Sequence, residues 1–111
     1  MIIRNYEDVE AQEMMEGVRK RVVIGENEGA PNFIMRIFEL DPGASSPFHT
    51  HSWEHEIFVL KGSAAVRDAA DEETPIGEGD TVLIPPEEKH CLTNRGDDTF
   101  RFICLIPKGA E

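Results

Sequence analysis

The four histidines of this chain are the residues best suited to chemistry, and three of them lie within seven positions. His49, His51 and His55 belong to the segment 43–62, GASSPFHTHSWEHEIFVLKG, and His90 follows a second turn-rich segment. Side chains two residues apart on an extended strand project to the same face, so the imidazoles of His49 and His51 can converge on one point. Imidazole is the commonest metal ligand among the side chains and suits zinc, copper, iron and nickel. The spacing therefore predicts a metal site.

The two segments that contain these histidines resemble the two motifs of the cupin superfamily. Residues 43–62 match the first motif, with a glycine, HxH, a ligand position at residue 55 and a closing glycine, and residues 79–94, GDTVLIPPEEKHCLTN, match the second. Most family members carry glutamate at the third ligand position, where this chain has His55. Glu87 replaces the glycine usual in the second motif, which alters a turn but no ligand.

The stretch HxHxWEHEIFVLKG, together with GVRKRVVIG, APNFIMR and FICLIPK, is similar to the small four-histidine manganese cupins of thermophilic bacteria. This resemblance covers nearly the whole chain. It implies one divalent transition metal held by His49, His51, His55 and His90.

The exchange of glutamate for histidine at residue 55 has a consequence for the charge of the site. Three histidines and one carboxylate leave a charge of about +1 around a divalent ion, whereas four neutral imidazoles leave about +2 and a greater need for an anionic ligand. An octahedral ion would keep two open positions, but a tetrahedral zinc ion would be filled. Ligand softness favours iron, copper, nickel or zinc. Only the resemblance favours manganese, which we expect first, with iron second.

Composition limits the other classes of function. A length of 111 residues predicts one domain, residues 1–111. The formal charge of −11 repels phosphate backbones and anionic lipid surfaces, so we expect neither a nucleic-acid nor a membrane partner. No apolar run approaches the ~20 residues of a membrane span, and residues 1–6 lack the features of a signal peptide. We therefore expect a cytoplasmic protein in which Cys91 and Cys104 form no disulfide.

The pattern of apolar residues predicts an all-β fold. About nine short strands are separated by Gly, Pro, Asp and Asn, without sustained helical periodicity, which is typical of a sandwich or barrel. The resemblance implies the cupin double-stranded β-helix, a jelly-roll barrel. We expect a brief helical turn within residues 7–15 and a charged tip at residues 71–73. The clearest strands are expected at residues 17–24, 33–40, 63–68, 81–84 and 99–106, with a further strand opening at His90.

Alternation along two strands suggests which side chains line the pocket. In the last strand, Arg101 favours solvent for the odd-numbered face, so Phe100, Phe102, Cys104 and Ile106 are predicted to point inward. The resemblance places Phe102, Cys104 and Ile106 on the pocket wall close to the metal. Cys104 is then either a redox-active residue or a small buried hydrophobe, as most free cysteines are.

Arg36 is a further candidate for the site. Each face of strand 33–40 carries one charge, Arg36 or Glu39, so the sequence alone does not orient it. An inward Arg36, which the resemblance suggests, would hold an anionic ligand group beside the metal. An outward Arg36 would be an ordinary surface or interface residue.

These observations predict a metal-dependent enzyme that acts on a small organic molecule. Oxidative cleavage or dioxygenation is the first reaction class, and the alternatives are redox-neutral isomerase or lyase chemistry, or a non-catalytic binding module. We also expect a homodimer, because the edge strands of an open barrel need covering. The basic run Arg19-Lys20-Arg21 is then expected to meet acidic residues of the second subunit.

Overall fold

The computed structural model describes residues 1–110, which form nine β-strands and two short 3-10 turns. The turns are Tyr6–Asp8 and Glu26–Glu28. The strands are β1 Gln12–Met15, β2 Val18–Ile24, β3 Phe33–Leu40, β4 His55–Lys61, β5 Ser63–Arg67, β6 Glu73–Gly77, β7 Thr81–Ile84, β8 Cys91–Thr93 and β9 Phe100–Pro107. No helix among residues 1–110 is long and apolar enough to cross a bilayer.

The strands form two antiparallel sheets that enclose one core. The larger sheet has the order β1-β2-β3-β9-β4-β7 and the smaller sheet the order β6-β5-β8. Residues of both sheets, such as Leu40 and Phe100 from the larger and Ala64 and Leu92 from the smaller, belong to the same buried cluster. The predicted all-β jelly roll is therefore confirmed.

Alternation along β9 separates the core face of the large sheet from its outer face. Burial follows a strict period of two, so that Phe100, Phe102, Cys104 and Ile106 are buried and the residues between them are only partly covered. The predicted inward face of this strand is correct. β9 pairs with β3 on one side and β4 on the other, which places it at the centre of the large sheet.

Two strands differ from the expectation. The region expected to hold a helical turn contains only Tyr6–Asp8 and then β1, which pairs with β2 as an edge strand. β6 was not predicted, because Pro75 and the acidic run before it suggest a turn. Pro75 is tolerated because β6 is the edge of the small sheet, where one side of the strand needs no ladder hydrogen bonds.

The arginines of β2 find acidic partners within their own chain. Arg19 Nη2 lies 3.0 Å from Asp41 Oδ1, and Arg21 pairs with Glu39. Arg101 donates two hydrogen bonds to the other carboxylate oxygen of Glu39. Burial raises the pKa of Glu39, but the hydrogen bonds from Arg101 and Arg21 outweigh it and hold the pKa below its usual range. These contacts explain Arg19 and Arg21 without a second subunit.

Candidate metal centre

Backbone hydrogen bonds bring the two histidine segments together. The amide nitrogen of His49 donates to the carbonyl oxygen of His90 at 3.2 Å, and that of His90 donates to the carbonyl of His49 at 3.1 Å. In addition, the amide of Glu87 donates to the carbonyl of His51 at 2.8 Å. The segment between β3 and β4 therefore runs beside β8 and the turn before it, which brings His90 next to His49 and His51 although it is about 40 residues away in the sequence.

This pairing is made of isolated bridges, although the sequence suggested an extended strand at His49 and His51. Ser45 pairs with Thr93 and His49 with His90, without a continuous ladder between them. Pro47 has no N–H to donate. The hydroxyl of Ser46 accepts the hydrogen bond from the amide of Leu92 at 2.8 Å in place of a backbone carbonyl. A side chain thus completes the pairing where the ladder is interrupted.

The imidazoles of all four histidines lie in one cluster. The candidate ligand atoms of His49, His51 and His90 are all within 4.8 Å of one another. The ring of His55 lies beside this triad, stacked on His51 at a centroid distance of 4.4 Å and edge-on to His90 at 5.2 Å. The structure thus brings the four predicted ligands together, with His55 as the outer member.

Hydrogen bonds determine which ring nitrogen of three histidines faces the cluster. The Nδ1 atom of His49 lies 2.7 Å from the carbonyl of Pro47, that of His51 is 2.7 Å from the carbonyl of Trp53, and that of His90 is 2.8 Å from the carbonyl of Glu88. A carbonyl oxygen can only accept, so each Nδ1 must carry the proton. The Nε2 atom then holds the lone pair that a metal ion needs.

Burial favours the neutral form of His51, His55 and His90. It lowers the pKa of His51 and of His90 below the ordinary value, although the hydrogen bonds to the carbonyls of Trp53 and Glu88 act in the opposite direction. Burial lowers the pKa of His55 to about 3, and the positive charge of Arg36 contributes to this shift. A metal ion binds only the neutral imidazole, so these three rings are in the form that can bind a metal at neutral pH.

One buried atom supports the fit of this donor set to a metal ion. Nε2 of His51 is buried and has no hydrogen-bond partner among the described residues. A buried polar nitrogen without a partner is costly unless another ligand completes it. A divalent metal bound by His49, His51 and His90, with His55 beside them, would satisfy this atom.

The predicted pocket residues Arg36, Phe102 and Cys104 line the same cavity. Ile106, which is also predicted for this wall, is absent from it and packs in the buried core. The side chain of Arg36 lies on the inner face of β3, where it is 8% exposed and donates to the sulfur of Cys104 at 3.0 Å. Phe102 is stacked on Phe38 at a centroid distance of 5.3 Å, and the guanidinium of Arg36 lies 4.9 Å above the Phe38 ring. The inward alternative for Arg36 is therefore the observed one.

The cavity is small and apolar. Its volume is about 150 Å³, and its wall includes the four histidines, Arg36, Cys104 and several aromatic and aliphatic side chains. Within residues 1–110, no carboxylate contributes to this wall. Sites for drug-sized ligands usually have several hundred Å³. The cavity therefore suits a few waters or one small ligand group.

Sequence reasoning missed several residues of this wall, of which Trp53 and Phe38 make the most direct contacts with the site. Trp53 stacks on His51 with ring centroids 4.6 Å apart, in addition to accepting its hydrogen bond. Phe38 supports both Arg36 and Phe102. Two features of the sequence could have indicated them. Trp53 lies between the predicted ligands His51 and His55, and Phe38 is two residues after Arg36, so it shares a face of the strand with it.

The other motif residues have structural roles. The side-chain amide of Asn94, which is 1% exposed, donates to the carbonyls of Leu40 and Asp98 at 2.9 and 2.8 Å, and its oxygen accepts from the amide of Gly96 at 2.9 Å. Gly62 has a φ of 85°, and a β-carbon there would lie 2.7 Å from the carbonyl oxygen of Thr99. Both cysteines are free, and Cys91 is absent from the cavity wall.

Comparison with known proteins agrees with the fold. The family described as "Cupin domain" matches residues 36–106. Among curated proteins, a gentisate 1,2-dioxygenase of Haloferax is 30% identical over 105 residues, which are 89% of this chain and 29% of that protein. An oxalate-binding protein of Thermotoga maritima is 32% identical over 69 residues, which are 61% of this chain and 56% of that protein. The chain thus spans about a third to a half of the length of these relatives.

Two solved structures are similar over most of this chain. The polyketide cyclase RemF of Streptomyces resistomycificus has a TM-score of 0.90 and 31% identity, covering 96% of this chain and 79% of that one. A predicted oxalate decarboxylase of Thermotoga maritima has a TM-score of 0.79 and 25% identity, covering 97% and 99%. The family match spans more than half of the chain and includes all four clustered histidines. The chain belongs to the cupin family.

Proposed function

We propose that this cupin is a metal-dependent enzyme that holds one divalent transition metal through His49, His51, His55 and His90 and acts on a small organic anion. The observation that carries the proposal is the cluster of imidazoles on the wall of a small, mainly apolar cavity. A divalent ion bound there would supply a Lewis-acid or redox centre. Manganese is the first candidate and iron the second.

The charge of the cavity supports an anionic substrate. Neutral imidazoles do not offset the charge of a divalent ion, and Arg36 adds a buried positive charge on the same wall. No carboxylate lies in the described part of this wall, so no side chain there would neutralise the positive charge of the metal and Arg36. An anionic ligand would therefore be attracted to the site. A carboxylate or enolate oxygen is the kind of group that such a site attracts. The cavity volume of about 150 Å³ requires that the group which enters be small.

Oxidative cleavage or dioxygenation is the first reaction class that we propose. The gentisate 1,2-dioxygenase of Haloferax, which aligns with 89% of this chain, supports it. In such a reaction Arg36 would orient the anionic group of the substrate, and Phe38 and Phe102 would exclude water from the reacting atoms.

Redox-neutral chemistry is the second candidate, and the likeness to the polyketide cyclase RemF favours it. That likeness extends over 79% of the other chain, whereas the dioxygenase is matched over 29% of its length. The cavity wall offers no carboxylate to act as a general base among the described residues. In this alternative, a proton removed from the substrate would have to be accepted by a metal-bound water or by the substrate itself.

Oxygen consumption separates the two reaction classes. Metal-free protein would be loaded with Mn²⁺, Fe²⁺ or Zn²⁺ and supplied with small phenolic, unsaturated and oxygenated acids, with oxygen uptake and product formation measured together. We expect substrate-dependent oxygen uptake with a redox-active metal and none with Zn²⁺. Product formation at an unchanged rate without oxygen would overturn the oxidative proposal in favour of the second candidate. Binding without turnover under all conditions would indicate a binding module.

We also propose that the protein is a homodimer whose subunits meet at the outer face of the large sheet. The exposed residues Met1 and Ile2 line a cavity together with Met35 on one half of that face. The other half, formed by β9, β4 and β7, leaves Phe58 and Leu83 exposed at 44% and 67%. The same chain offers an exposed apolar N-terminal segment and an exposed apolar sheet face, and a second copy can cover both by two-fold symmetry.

The mass in solution tests this arrangement. We expect a particle of twice the 12.5 kDa chain mass at micromolar concentration, and Leu83→Glu should produce monomers. Glu88→Lys, an exposed change outside that face, is the matched control and should leave the dimer intact. A 12.5 kDa species in the unmodified protein would refute the proposal.

A further inference from the structure

One part of the cavity wall belongs neither to a sheet nor to the two histidine motifs. Beyond the end of β9 at Pro107, the chain turns so that Ala110 lines the cavity and packs against the buried core. Gly109 makes this turn with a φ of 91°, in the left-handed region that glycine adopts at little cost. Residues 107–110, called here the 107–110 turn, therefore cover one side of the cavity.

The inner end of the cavity is closed to solvent. Cys104 on its wall is 1% exposed, and the Nε2 atom of His51 is buried. A molecule larger than water therefore reaches these groups only when part of the wall moves. The volume of about 150 Å³ already limits what the closed cavity holds.

The other wall segments are held by several backbone hydrogen bonds. β9 pairs along its length with β3 on one side and with β4 on the other, and all three strands contribute wall residues. The segment 46–51 exchanges two backbone hydrogen bonds with His90 and is joined by two more to Leu92 and Glu87. Movement of any of these segments would break several hydrogen bonds at once, so they are poorly suited to open.

The 107–110 turn is attached more weakly. The amide of Lys108 donates to the carbonyl of Asn32 at 2.9 Å, and the amide of Ala110 donates to the carbonyl of Pro107 at 3.2 Å. Of these two hydrogen bonds, the first alone joins the turn to another part of the chain. Lys108 and Gly109 are exposed. A segment with few attachments and an exposed backbone opens at a low cost in free energy, as the lids of binding sites do.

We propose that the 107–110 turn is a lid on the histidine cavity, and that its opening moves Ala110 off the wall and admits the ligand. The identity of that ligand as a small organic anion rests on the proposed function. The movement itself is a property of the metal-free protein and can be measured there.

Chemical labelling of Cys104 measures the opening of the lid. Cys104 lines the cavity, whereas Cys91 is also buried but is absent from the cavity wall. Metal-free protein would be treated with N-ethylmaleimide at one fixed pH, and peptide mass spectrometry would give the rate of modification at each cysteine. We expect Cys104 to react faster than Cys91, because opening of the lid exposes Cys104 without unfolding of the barrel.

Two variants of the lid should increase the rate at Cys104. In Gly109→Ala the alanine bears the steric cost of the left-handed conformation only while the lid is closed, so we expect an increase of about 5- to 30-fold. Lys108→Pro removes the N–H that donates to Asn32 and should also increase the rate. Neither variant should change the rate at Cys91.

Gly79→Ala is the matched control. Gly79 has a φ of 85°, and a β-carbon there or at Gly109 would meet no atom of a more distant described residue within 4 Å. The backbone change is therefore the same, but Gly79 lies outside the cavity wall, so the ratio of the two labelling rates should stay that of the unmodified protein.

An unchanged rate at Cys104 in both lid variants, or an equal increase at Cys104 and Cys91, would overturn the lid. If the unmodified protein binds no metal, the proposed function fails, while the labelling rates still decide whether the 107–110 turn opens.

Discussion

His49 and His90 exchange two backbone hydrogen bonds, although 41 positions separate them in the sequence. The bridge holds one imidazole from each histidine motif at a ring distance of 5.2 Å. Because the backbone itself sets this distance, the two rings are in place before a metal binds. The cluster is therefore a preformed site, and removal of a single ring should weaken metal binding without unfolding the barrel.

Replacement of His51 or His90 by alanine tests the ligand assignment. We expect the dissociation constant for Mn²⁺ to rise by at least about 100-fold, since loss of a ligand should exceed the effect of losing its hydrogen-bond partner. Circular dichroism should remain that of the β-barrel. Thr50→Ala, an exposed change between two ligands, is the control and should retain full metal content by elemental analysis. Full occupancy in both histidine variants would refute the site.

His55→Ala asks whether the site has three or four histidine ligands. His55 lies beside the triad of His49, His51 and His90, so its contribution is separable from theirs. We expect a loss of affinity comparable to that of the other ligand variants. Unchanged affinity in His55→Ala, together with strong losses in the other variants, would reduce the site to three histidines.

The stability of the metal-free protein should fall as the pH is lowered below about 6.5. Above the ordinary histidine pKa of about 6.5, the rings are neutral in both the folded and the unfolded chain. Below it the unfolded chain takes up protons, but the folded protein resists because burial lowers the pKa of His51 and His90, and that of His55 to about 3. The unfolded state then binds more protons than the folded state, so the free energy of unfolding decreases as the pH falls.

Urea unfolding of the metal-free protein between pH 7.5 and 5.0 measures this dependence. Most carboxylates titrate below this range, so the slope reports mainly on the histidines. His55→Gln should reduce the slope, because it removes the group with the largest resolved shift. A midpoint that stays constant between pH 7.5 and 5.0 would contradict the expectation.

Asn94 should be a stability residue without a direct role in metal binding. Its replacement by alanine leaves two carbonyls and one amide in the interior without their partner, so we expect a loss of about 3 kcal/mol in the free energy of unfolding. Metal content should be retained in the folded fraction. Asn27→Ala, at an exposed position, should change stability by less than about 0.5 kcal/mol. A loss of metal without a loss of stability would assign Asn94 to the site instead.

Glu87 occupies a left-handed backbone conformation, with a φ of 70°. Glycine adopts this conformation without the steric cost that other residues bear, so Glu87→Gly should raise the free energy of unfolding by about 0.5 to 1 kcal/mol. The backbone N–H that donates to His51 is kept in this variant. Glu88→Gly, next in the chain and outside the left-handed region, should lower stability because it only adds freedom to the unfolded chain. Equal effects of both changes would contradict this account of the turn.

Much of the fold could be predicted because it depends on local patterns. Period-two alternation identified β3 and β9 and the inward face of β9, since one face of a sheet strand must be apolar when it packs on a core. The two motifs located the four histidines. β6 could not be predicted from the sequence, because its proline and acidic residues are not typical of a strand. It is a strand only through its pairing with β5.

The sequence by itself determined the donor atoms of this site and the jelly-roll class, because residue types and their spacing are local properties. Only the tertiary structure decided which face of β3 is the inner one. In the register of β3 with β9, Arg36 lies opposite Cys104 and Glu39 lies opposite Arg101. Each charge of β3 thereby lies beside a partner more than 60 residues away in the sequence, since Arg36 donates to the sulfur of Cys104 and Glu39 accepts from Arg101. A buried charge is costly without such hydrogen bonds. Such partners come from pairing between strands, which no pattern within β3 contains.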